Sequence, residues 1–140
     1  MILRPEIRFR PGFPDDTIEG EEDTIEWPGR NITEALKAAL EQRGYRVSEP
    51  LNAEHVGWEL EVFRGRKRLW LQVSRLDDET CYILAFNKTS WLWPDVKVFQ
   101  AFLSDLQSIM AADGRFGEPG WFPKGGLDLG MAPALGPFDT

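Results

Sequence analysis

The sequence predicts an α+β fold, a two-layer sandwich in which a three- to four-stranded antiparallel sheet is flanked by an N-terminal and a C-terminal helix. Three stretches carry this expectation. Residues 31–44 read as a capped amphipathic helix, residues 55–86 as three alternating strands joined by short turns, and residues 95–114 as a longer helix. Helices on one side of an antiparallel sheet bury its apolar face and make two layers. At 140 residues the chain holds one real core and is too short for two. The single domain, 1–140, divides into an extended acidic segment (1–30), an α-β-β-β-α core (31–114) and a Gly/Pro-rich tail (115–140).

In "NITEALKAALEQRG" (31–44), Asn31 is the expected N-cap, with Glu34 three residues on as in a capping box. Ile32, Leu36, Ala39, Leu40 and Arg43 keep helical spacing, and Gly44 suits the left-handed C′ position. The stripe is narrow, so this helix covers one face of something larger. That partner is the sheet. Along 55–63, Val56, Trp58, Leu60 and Val62 alternate with Gly57, Glu59, Glu61 and Phe63. Along 68–74, Leu69, Leu71 and Val73 oppose Trp70 and Gln72, and along 80–86, Cys81, Ile83 and Ala85 oppose Tyr82, Leu84 and Phe86. Gly65 and Asp77–Asp78 mark short hairpin connections. One face is therefore covered and the other partly wet, and Trp70, Tyr82 and Phe86 make the wet face unusually aromatic.

"TSWLWPD" (89–95) follows the third strand. If the strand continues, Trp91 and Trp93 share a side, with Leu92 opposite, until Pro94 stops the ladder. The second helix, 95–114, has Asp95 as its cap, Gly114 as its stop, and a broad stripe of Val96, Phe99, Phe102, Leu103, Leu106, Ile109 and Met110. Beyond it, 114–140 hold seven glycines and four prolines, read as an irregular tail anchored in part by Phe116, Trp121 and Phe122 and freer towards its end. At the other terminus, "RPEIRFRP" alternates Ile7 and Phe9 with Arg8 and Arg10, which suggests a short edge strand because its prolines would spoil a central ladder. The block at 15–26 has seven carboxylates and no basic residue, and repeats "DTIE" over too short a length to mean a repeat architecture.

The formal charge of −7 works against nucleic acid and anionic lipid as partners. Cys81 is the only cysteine, so an internal disulfide and thiolate-built structural zinc are excluded. No run of apolar residues reaches the roughly 18 of a membrane span, and the first residues lack a continuous signal-like stretch. The expected compartment is the cytoplasm. A thiol nucleophile needs a base, and the one histidine, His55, opens the first strand while Cys81 faces the core of the third. Glu59 and Glu61 share a strand face, yet adjacent acids on a wet face are solvated charges before they are a glycosidase pair. "RLDDET" (75–80) lacks the glycine and distal glutamate of a calcium loop, and "GRFGEPG" (114–120) follows a helix instead of joining a strand to one, so it is no phosphate cradle. "RGRKR" (64–68) is the one basic cluster; with Trp70 nearby it could contact a nucleic-acid backbone and stack a base, but against the net charge it reads as a solvated or edge-protecting hairpin tip or an internal counter-ion for the acidic block.

The helix–meander–helix order across 31–114, in a small acidic chain, resembles two groups of bacterial proteins. One is the immunity proteins that neutralise secreted toxins; the other is the type III secretion chaperones. The resemblance implies a non-enzymatic protein-binding module without cofactor, an immunity or inhibitor protein that masks a basic toxin or effector. The expected mechanism is electrostatic steering by Asp15, Asp16, Glu19, Glu21, Glu22 and Asp23, followed by docking of Trp91, Trp93 and Trp121. Two alternatives stand beside it: a homodimeric secretion chaperone, and a small-ligand receptor using the aromatic face at Trp70, Tyr82 and Phe86.

Overall fold

The computed structural model describes residues 2–22, 24–53 and 57–139; Asp23, His55 and Val56, all weighed above, lie outside them. In chain order the elements are β1 (Glu6–Pro11), β2 (Ile18–Glu19), β3 (Thr24–Glu26), α1 (Arg30–Gln42), β4 (Arg46–Val47), β5 (Leu51–Ala53), β6 (Gly57–Arg64), β7 (Lys67–Arg75), β8 (Cys81–Asn87), α2 (Val96–Ala112) and β9 (Phe116–Phe122). The α+β class holds, with two helices, but the main sheet has seven strands where three or four were expected. Its order is β4-β6-β7-β8-β1-β9, with β5 also paired to β6, and β2 and β3 form a separate two-stranded ribbon.

The meander β6–β7–β8 forms as its alternation requires. Trp58, Leu60 and Val62 face the same layer as Leu69, Leu71 and Val73 and as Cys81, Ile83 and Ala85, and all are buried. Gly57 has φ +122 at the start of β6, and a Cβ there would run into the Val73 carbonyl; only glycine lets the strands approach this closely. The extra strands come from the termini. β1 is interior and not an edge: Ile7 stands opposite Ile83 on one side and Trp121 on the other. Pro5 lies outside the strand and Pro11 at its last position, so Glu6 to Arg10 keep the N–H groups a central ladder needs. The tail supplies β9. Its Gly and Pro residues are absorbed by a register shift opposite Arg8–Arg10, where Glu118 takes φ +49. The rest of the tail is also tied down: Trp121 bridges Ala134, Leu3 bridges Phe138, and the Arg4 N–H donates to the Pro137 carbonyl at 2.7 Å.

Both helices pack on the one sheet face. Ile32, Leu36 and Leu40 of α1 and Phe99, Phe102, Leu103, Leu106, Ile109 and Met110 of α2 join the buried sheet residues in one core, while Val96 is half exposed. Asp95 caps α2 as expected, accepting the Val98 N–H at 3.1 Å. The start of α1 is different. Gly29 is the N-cap, and the Asp16 carboxylate reaches across from the acidic segment to accept the N–H groups of Gly29 (2.9 Å) and Asn31 (2.8 Å). Asn31 lies inside the helix, with its amide donating to the Pro14 carbonyl. A distant carboxylate thus satisfies the orphan donors and complements the helix dipole in place of the local capping box. At the other end Gly44 has φ +93, the expected C′ conformation.

Candidate functional site

β8 ends at Asn87, so Trp91 and Trp93 are not on a strand. They stand on the loop that joins β8 to α2, and that loop is held by short-range bonds. Thr89 donates its N–H and hydroxyl to the Asn87 side-chain oxygen (3.2 and 2.7 Å) and accepts the Asp95 N–H at 2.7 Å. The Trp93 N–H donates to the Ser90 hydroxyl at 3.2 Å, and the Lys67 ammonium lies 3.4 Å from the Asp95 carboxylate. The Val98 N–H, with help from Lys67, holds the Asp95 carboxyl below its ordinary pKa. On this framework Trp91 is 90% exposed, Trp93 85% and Leu92 60%. Two tryptophans presented almost whole to water form an apolar ridge without a covering element among the described residues. The cation shown at this loop is Lys67 of the β6–β7 hairpin, through its pair with Asp95.

The hairpin cluster itself is largely engaged. Arg64 stacks 3.9 Å from the Tyr45 ring and donates to the Arg43 carbonyl, and Arg68 pairs with Glu61 at 2.7 Å. That last pair also engages the Glu61 carboxylate, so Glu59 and Glu61 are not two free carboxylates. Cys81 is fully buried, and burial pushes its thiol up to about 12, far from a thiolate at neutral pH. Among the described residues no group of three or more His, Cys, Asp or Glu could hold a metal ion, and no helix is long and apolar enough to cross a membrane.

The residues expected to bind a partner do not converge. Trp121 is a correction: it is 1% exposed, packed in the core opposite Ile7, and presents nothing to a partner. Its place in β9 went unrecognised because the surrounding Gly and Pro hid the strand. The acidic segment sits beside Arg75, whose guanidinium donates to the Phe13 and Pro14 carbonyls (2.8 and 3.2 Å). Arg75 ends β7 and Lys67 begins it, so the acids and the ridge are separated by about the length of that strand, roughly 26 Å. Within the segment Asp15 accepts the Thr17 N–H and hydroxyl, bonds that lower its pKa, and Asp16 caps α1. Glu19, Glu21 and Glu22 are exposed.

The aromatic outer face is assembled only in part. Trp70 and Phe86 are direct cross-strand neighbours, whereas Tyr82 pairs with Ser74, about 13 Å further along β8. Lys88 holds its ammonium 5.8 Å from both the Trp70 and Phe86 rings, over a shallow cleft of about 190 Å³ that Glu59 and Gln72 also line. Lys88 was not singled out in the sequence, where a lone lysine beyond a strand carries no pattern. Compared with protein-family models, with curated proteins and with solved structures, the chain matches none.

Proposed function

We propose that the protein is a non-enzymatic binding module, of the inhibitor or immunity kind, that masks a protein partner by docking the Trp91–Leu92–Trp93 ridge into an apolar groove. One observation carries this reading: two tryptophans stand 90% and 85% exposed on a loop held in place by its own hydrogen bonds. Exposed apolar surface of that kind is the material of interfaces, and tryptophan is among the residues that dominate binding energy when buried there. A loop already fixed in shape loses little conformational entropy on docking. The acidic segment supports the reading from a distance, as a field that draws a basic surface towards the molecule. A standard interface of about 800 Å² per partner is roughly 30 Å across, wide enough to reach from the ridge towards Glu19, Glu21 and Glu22.

The test is affinity capture from the native cells with the tagged protein and with a Trp91→Ala/Trp93→Ala variant whose fold is first checked by circular dichroism. A stoichiometric protein partner that the variant loses supports the ridge. A partner retained by the variant moves the interface elsewhere, and no partner with either form overturns the reading. Binding to anionic lipid vesicles that depends on both tryptophans would reassign the ridge to a membrane surface.

A further inference from the structure

We propose that a second, independent site lies in the cleft between the end of β8 and the N-terminal segment, and that it takes a small aromatic carboxylate. β1 and β8 run together as far as Glu6 opposite Leu84, and the Ala85 N–H still donates to the Pro5 carbonyl at 2.8 Å. Before Pro5 the chain turns away to pair with the tail at Pro137 and Phe138. The last residues of β8 therefore lose their neighbour on that side, and a cleft of about 410 Å³ opens there. Its apolar lining is Leu84, Ala85 and Phe86 of β8 and Phe99 of α2.

The charges select the ligand. Lys88 and Lys124 both line the cleft and are exposed, and neither has a carboxylate partner among the described residues. Glu6 is the one acid in the lining, and its oxygens are turned to other work: they accept the N–H groups of Gly125 (2.8 Å) and Leu127 (3.4 Å). Those bonds hold the backbone that follows Lys124 against the sheet, which keeps the lysine at the cleft's rim. In a chain of charge −7, an apolar cleft with a positive rim is a local exception. With two lysines on the lining, an anion gains charge-assisted hydrogen bonds there, and an aromatic body fills the space beside Phe86 and Phe99. The volume lies within the range of small-molecule sites, about 300–1,000 Å³.

The experiment titrates the full chain with 2-naphthylacetate and, separately, with the neutral 2-naphthylacetamide, following backbone amide shifts by NMR and affinity by calorimetry. The acid should bind saturably, with shifts centred on Leu84, Phe86, Lys88, Phe99 and Lys124, and the amide roughly tenfold more weakly. Lys88→Gln and Lys124→Gln, both on exposed side chains, should each weaken the acid by a similar factor, and the Trp91→Ala/Trp93→Ala variant should bind it unchanged. Four results would each overturn the site: no saturation, equal affinity for acid and amide, unchanged affinity in both lysine variants, or shifts centred on the tryptophan ridge. None of them bears on the ridge as a protein-docking surface.

Discussion

At the scale of single residues, the same side-chain type does opposite work according to its layer. Trp121 is buried in the core, so Trp121→Ala leaves a large cavity and should cost about 3–5 kcal/mol in urea unfolding. Trp91 and Trp93 touch so little that replacing both by alanine should change stability by less than about 0.5 kcal/mol. A large loss in the double variant would mean that the ridge is structural. Asp16 is a second contrast with its neighbours, because it is the remote cap of α1. Asp16→Ala should destabilise by about 1–2 kcal/mol, with Asp16→Asn recovering part of it, and guanidinium titration reads the difference. Tyr45 makes the pH-sensitive contact. Burial, and then its 2.6 Å hydrogen bond to Asp105, raise its pKa to about 12 from the ordinary 10. The neutral phenol is the form the fold favours, so its contribution is complete below pH 10 and lost as pH rises through 12. Thermal melts across that window should fall more steeply for the native protein than for Tyr45→Phe.

At the scale of elements, the two termini complete the sheet. β1 lies between β8 and β9, and the Phe116 ring of β9 packs 5.1 Å from that of Phe9 and 5.2 Å from that of Phe13. A chain cut after Gly114 loses β9 and the tail that pairs with residues 3 and 4, and leaves β1 as a bare edge with Ile7 and Phe9 uncovered. Such a truncation should abolish the cooperative unfolding transition. Cooperative unfolding of the 1–114 fragment, followed by near-UV circular dichroism, would show instead that the tail is an appendage. The helices are joined at a second seam, where Asp105 of α2 takes Tyr45, Arg43 at 3.4 Å and Arg64 at 3.6 Å. This cluster ties the end of α1 and the β6–β7 hairpin to α2, which is one reason the hairpin's basic charge is partly spent inside the molecule.

At the scale of the whole molecule, the acidic segment lies at the Arg75 end of β7 and the ridge at its Lys67 end. The distance between them, roughly 26 Å, exceeds the Debye length of about 8 Å at physiological salt. Under the proposed function, steering by the acidic segment would therefore be a low-salt effect on association rate and would contribute little to the bound state. Reversing Glu19, Glu21 and Glu22 to lysine should slow association with a basic partner several-fold at low ionic strength and hardly at all in concentrated salt. Equal slowing at both would remove the steering role. Asp15 and Asp16 should be left intact in that experiment, since their local bonds would confuse a loss of fold with a loss of field.

The meander and both helices were legible in the sequence because each depends on a local period. Alternation placed Leu60, Leu71 and Ile83 on the core face, and the 3.6-residue stripe placed Phe102 and Leu106 there. The exposure of Trp91 and Trp93 was posed by the sequence and decided only by the fold, since "TSWLWP" reads equally as strand or loop until the end of β8 is known. The position of β1, the existence of β9 and the burial of Trp121 depend on pairings between residues far apart in the chain, as between Ile7 and Ile83 and between Ile7 and Trp121. The capping of α1 by Asp16 and the cleft beneath Lys88 and Lys124 are likewise long-range products. Local sequence sets which face of an element is apolar. Which elements meet, and what is left uncovered when they have met, is settled by backbone donors and apolar surfaces finding partners across the whole chain.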